Sequence, residues 1–145
     1  MAVTAGSCPH CGYRSPYAAS GFNGWAICVV LAGGMIAFAA FLPWEAVFGV
    51  TLNGFQVGTA GAWAVGIGMV VALAGLTQVN GRGIGTGTRV VAFLGGLAAV
   101  GLAIICWAEI QNQINDYGLV SAATGIFMAA IGGGLAMGAS LMARR

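Results

Sequence analysis

Cys8-Pro9-His10-Cys11-Gly12 is the one stretch of this chain whose residue types and spacing belong to metal or redox chemistry. A C-x-x-C turn followed by glycine is the knuckle of a zinc ribbon: it brings two thiolates to one ion, and the glycine permits the tight backbone. A structural zinc takes four ligands, and a full ribbon supplies a second C-x-x-C. This sequence has none, and its next cysteine is Cys28. Three readings stay open. Zinc is shared between the heads of neighbouring subunits as a four-cysteine site, or His10 supplements Cys8 and Cys11. The knuckle is a remnant that binds nothing. Or the pair is a redox dithiol, although the βαβ setting of a thioredoxin motif is missing.

Outside the head, reactive groups are sparse. His10 is the sole histidine, so no Ser-His or Cys-His pair can be assembled elsewhere. Glu45, Glu109 and Asp116 are the only acidic residues, and two carboxylates at a surface without a partner group make no catalytic site. Gly81-Arg82-Gly83-Ile84-Gly85-Thr86-Gly87-Thr88 superficially looks like a phosphate-cradling loop. It lacks the preceding strand and the Lys-Ser/Thr of a P-loop, and reads as a flexible connector. Cys28 and Cys106 lie at depths that differ by roughly 15–20 Å at 1.5 Å per helical residue, beyond disulfide reach, and read as small core hydrophobes. The expectation is a protein that is not an enzyme.

The elements that must position these groups follow from composition. The chain has 145 residues, 59% hydrophobic and 6% charged, with no lysine; soluble domains carry roughly 25% charged residues. Such a surface must face lipid. A net charge of +2, with aromatic residues spread among the apolar stretches, argues against nucleic acid as a partner. Four apolar stretches reach the roughly 20 residues a helix needs to cross a bilayer: Phe22–Leu42, Ala60–Val79, Val90–Ala108 and Leu119–Met142. The expected fold is therefore an all-α bundle of four transmembrane helices over residues 21–145, preceded by a head at 1–20.

Charge sets the expected orientation. Arg14, Arg82, Arg89, Arg144 and Arg145 fall in the head, the second connection or the C-terminus, and the acidic residues fall toward the other ends of the spans. The positive-inside bias then places both termini and the middle connection in the cytoplasm, in an inner (plasma) membrane.

Glycine is the main packing signal, with 26 residues. Gly33-Gly34, Gly95-Gly96 and the GxxxG pair Gly134 and Gly138 are candidate helix-packing positions, because small residues let backbones approach closely in lipid. Glycine on all four spans keeps self-association open beside packing within one bundle. In the first outer loop, Val50–Leu52 and Phe55–Val57 flank Asn53-Gly54, which predicts a β-hairpin with a type I′ turn. Trp44 and Trp107 fit an interfacial aromatic belt. The stretch Glu109–Gly118 is the most polar in the chain, and reads as a solvated outer connection with a continued helical turn; the alternative is a loop in which Glu109 and Asp116 contact a cation or a partner.

With the knuckle Cys8–Gly12, the span ending Leu42-Pro43-Trp44 and the hairpin-bearing loop in view, the chain resembles small bacterial four-span membrane proteins with a zinc-ribbon-like head. Its topology is also similar to that of claudin-type tetraspan proteins, whose first outer loop forms strands. The two outer-loop cysteines of the claudin signature are missing. The expected function is that of a structural or accessory membrane protein, acting in the lipid bilayer as a homo-oligomer or as a small subunit of a larger membrane complex. The alternative is a small transporter or pore with its path between subunits.

Overall fold

The computed structural model describes residues 23–47, 49–80, 84–117 and 120–143. The cysteine head, with Cys8, His10 and Cys11, lies outside them. Apolar runs without a breaker fold as four helices: α1 (Gly24–Ala39), α2 (Ala60–Leu76), α3 (Thr86–Tyr117) and α4 (Thr124–Met142). Three short strands, β1 (Pro43–Val47), β2 (Val50–Asn53) and β3 (Val120–Ala122), join them at one end. We call this the sheet end, and the opposite end the far end. In contact order the helices close a ring, α1 on α2, α2 on α3, α3 on α4 and α4 on α1, with the α2–α3 contact the slightest.

Two helices are long and apolar enough to cross a membrane, α3 over Thr86–Asn112 and α4 over Thr124–Met142. The first and second apolar helices are shorter, at 16 and 17 residues. Regular α-helix therefore stops short of the expected limits there, because the chain tightens into i→i−3 turns. Ala40, Phe41 and Leu42 donate to Ala37, Phe38 and Ala39, and Gln78 and Val79 to Gly75 and Leu76. Such turns satisfy carbonyls that a helix end leaves without partners.

The helices meet along seams spaced alternately three and four residues apart. On α2 the buried positions are Gly61, Ala64, Gly68, Val71 and Gly75, the heptad spacing that keeps one face toward its neighbours. Large side chains lie on the opposite faces. Buried hydrophobics are mostly alanines, whereas Leu31, Phe38, Trp63, Leu73, Ile105 and Leu141 are each more than half exposed. Two core clusters divide the interior. One at the sheet end gathers Trp44, Cys106, Ile110 and Ile126 with alanines, and one toward the far end gathers Val29, Val71 and Ile84 with alanines.

The sheet corrects two expectations. Its order is β2-β1-β3, all antiparallel. The hairpin is real but displaced: Val47 pairs with Val50, and Gly49 between them takes φ +81°. Asn53-Gly54 is not its turn. The Asn53 side-chain oxygen accepts from the Phe55 and Gln56 N–H groups, both at 3.1 Å. That Asx-type turn ends β2, so Phe55–Val57 form no strand. In the polar stretch the helix continues well beyond the single turn expected. α3 carries Glu109 and Asp116 within its helix to Tyr117, since no glycine or proline stands between Glu109 and Gly118. β3 then occupies residues of the expected fourth span, so that α4 begins only at Thr124.

Candidate functional site

Three regions gather the side chains with specific work: the sheet end, the glycine seams and the far end. At the sheet end the organising residue is Trp44. A register shift between Pro43 and Glu45 leaves Trp44 as the extra residue of a β-bulge, a device that re-aims a side chain. Its ring turns down onto the helix ends and is completely buried. The indole Nε1–H donates to the Ala39 carbonyl in the last turn of α1, at 2.6 Å. The backbone carbonyl of Trp44 accepts from Ala123, at the start of α4, at 3.1 Å. One residue thus ties α1, the sheet and α4 together.

Glycine makes room for that ring. A Cβ on Gly125 would stand 2.6 Å from the Trp44 Nε1, and one on Gly54 would stand 3.0 Å from the same atom. Gly54 N–H donates to Ala40, and its carbonyl accepts from Gly61, each at 3.0 Å, so the turn is bonded to both α1 and α2. Placing Trp44 in an aromatic belt is therefore corrected: it is interior. Trp107 is 38% exposed and packs edge-on against Phe127 with ring centroids 5.5 Å apart.

Glu45 sits beside Trp44 on the central strand and is 7% exposed. Glu109 is exposed on α3, and Asp116 lies on the last turns of that helix. Among the described residues no three His, Cys, Asp or Glu side chains stand close enough to hold a metal, and no buried side-chain nitrogen or oxygen lacks a hydrogen-bond partner. The sheet end holds structure together.

The expected packing glycines divide into two sets. A Cβ on Gly33 would meet the Ala72 nitrogen at 2.5 Å and the Gly68 carbonyl at 2.6 Å; one on Gly68 would meet the Gly33 carbonyl at 2.5 Å. The two residues form a reciprocal crossing of α1 and α2. Gly96 and Gly133 do the same for α3 and α4, each facing the other's carbonyl at 2.5 and 2.7 Å. Gly95 faces the Val71 side chain. Gly34, Gly134 and Gly138 meet nothing within 4 Å. The GxxxG pair instead lines an outward groove of about 340 Å³ between α1 and α4, with Cys28, Leu31 and Met142. Cys28 is exposed there, which corrects its placement in the core; Cys106 is buried at the sheet end, and both thiols are free.

At the far end, polar side chains close helix termini across the bundle. Asn23 caps α1 by accepting from Ala26 at 3.4 Å, while its own N–H donates to Val79 at 3.1 Å. The Thr88 hydroxyl donates to Ala74 at 3.5 Å. Arg89 Nε donates to the Ser140 carbonyl at 2.9 Å, joining the first turn of α3 to the last of α4. The sequence marks Arg89 as a topology signal; its bond to Ser140 depends on a tertiary neighbour. Comparison with protein-family models, curated proteins and solved structures gave no match.

Proposed function

We propose that this chain is a four-span integral membrane protein with a structural or accessory role, its sheet on the outer side and both termini in the cytoplasm. The observation that carries this is the inverted distribution of side-chain size, with alanine and glycine inside and Leu, Ile, Phe and Trp outside on all four helices. Water would not tolerate that surface, whereas lipid tails are as apolar as leucine and leave helix association to close packing. Along α3, Arg89 and Glu109 stand 20 positions apart, about 30 Å at 1.5 Å per residue, which matches a bilayer's hydrocarbon core. The hydrogen-bonded segments of the shorter helices, with their terminal turns, reach Leu42 and Val79. Packed beside α3 and α4, they share the same slab.

The accessory role draws on two features. The interior is filled by buried side chains and by close backbone crossings at Gly33–Gly68 and Gly96–Gly133, which favours a scaffold over a conducting path. Gly34, Gly134 and Gly138 leave small-residue surface facing outward, suited to a second copy or to another membrane subunit. The head with Cys8, His10 and Cys11 would then lie in the cytoplasm, where a neighbour's head would complete a zinc site. The test is the mass of the protein in native-lipid particles, with zinc measured on the same sample. A defined oligomer with about one zinc per two chains, as a four-ligand site requires, is expected. A zinc-free monomer would remove self-association from the account.

A further inference from the structure

Arg89 is a cation in an unfavourable place. It stands in the first turn of α3, where the helix dipole is already positive and no acidic residue precedes it. Its Nε meets the Ser140 carbonyl near the negative end of α4, which offsets part of that cost. Among the described residues no Asp or Glu side chain lies at this end. Glu109 is about 30 Å away along the same helix, Asp116 lies further still, and Glu45 belongs to the sheet. No described side chain supplies a counter-anion to Arg89.

Arg89 also stands over a groove. A recess of about 330 Å³ opens between the start of α3 and the end of α4. Its polar rim is Thr86, Arg89 and Ser140, and its walls are apolar, with Val90, Phe93 and Leu141 among them. A rim that wants an anion above walls that want hydrocarbon is complementary to one class of molecule. We propose that this groove binds an anionic phospholipid of the cytoplasmic leaflet, its headgroup phosphate on Arg89 and the upper part of an acyl chain on Phe93 and Leu141. Arginine suits phosphate through its planar, forked donors, and basic recesses between membrane helices on the cytoplasmic side are a general means of holding acidic headgroups. The inference rests on the membrane reading above.

The test titrates the detergent-purified full chain with phosphatidylglycerol or phosphatidylcholine and reads lipid-bound fractions by native mass spectrometry. The expected preference for phosphatidylglycerol is about tenfold, equivalent to roughly 1.4 kcal/mol. Arg89→Gln should erase it, and Arg82→Gln, which removes the same charge at the neighbouring connection, should keep it. Leu141→Gln leaves Arg89 in place on a residue 70% exposed, and should weaken phosphatidylglycerol several-fold even if Arg89→Gln fails to fold. Equal binding of the two lipids by the unaltered chain would overturn the proposal, as would equal losses in the Arg82 and Arg89 variants. Displacement of lipid by an equal concentration of inorganic phosphate would make this a free-anion site and also overturn it. A chain that inserts with four spans yet shows no preference refutes this inference alone; a chain that fails to insert removes the reading beneath it.

Discussion

Gly33 and Gly34 are neighbours on α1, and their replacement by alanine should change stability in opposite directions. At Gly33 the new methyl group would stand 2.5 Å from the Ala72 nitrogen and 2.6 Å from the Gly68 carbonyl. Both are backbone atoms of α2 and cannot rotate away. Reaching 3.4 Å, where ordinary contact begins, needs the two helices to part by about 0.9 Å. That would loosen the seam along Gly68 and Gly75. Overpacking of this kind costs about 1–3 kcal/mol. Alanine returns roughly 0.5–1 kcal/mol of backbone entropy in a helix, so Gly33→Ala should lose a net ~1 kcal/mol, between about 0 and 2.5. At Gly34 nothing lies within 4 Å, so only the entropy gain remains in the monomer, and stability should rise by roughly 0.5–1 kcal/mol. Reversible unfolding of both variants by SDS titration, at a protein concentration where the chain is dissociated, reads the difference. Equal shifts of the same sign would refute the α1–α2 crossing.

Three further outcomes follow from the sheet end. Trp44→Phe removes the bond to Ala39 and part of the largest buried side chain, and should cost about 2 kcal/mol in the same titration. Asn53→Ala removes the acceptor of the Phe55 N–H, while the Gln56 N–H keeps the backbone carbonyl of residue 53 at 3.0 Å; faster hydrogen exchange at Phe55, more than at Gln56, should accompany a loss of about 1 kcal/mol. Gly49→Ala places a side chain at φ +81° and should cost about 1–2 kcal/mol, read as lower thermal stability, whereas Gly24→Ala, with nothing within 4 Å, should not destabilise.

The helices were legible because an apolar run without charge has few alternatives, and their number and order follow from the four apolar stretches. The sheet was much less so. Asn53-Gly54 carries the residue types of a hairpin turn, but the amide side chain of Asn53 captured two backbone N–H groups and closed a different turn. β3 is three residues long and pairs only with β1, more than 70 positions earlier in the chain, so no local pattern announces it. The continuation of α3 did leave a signal: Ala103, Cys106 and Ile110 are buried at helical spacing, carrying the period into the polar stretch. Nothing local separates Gly33 from Gly34, because only the crossing helix decides which backbone is approached. Trp44 has the residue type of an interfacial anchor, and the bulge that turns it inward depends on the pairing of β1 with β2.

The most direct test of the account is the sidedness of two exposed positions, Thr51 in β2 and Gly87 in the first turn of α3. Each would be changed to cysteine in a chain whose four natural cysteines are replaced, and labelled with a membrane-impermeant maleimide. Four spans with the sheet outside predict that intact cells label Thr51→Cys and leave Gly87→Cys untouched, and that inside-out vesicles reverse the result. Labelling of both positions from the same side would mean that α2 does not cross the membrane, and would contradict the four-span reading.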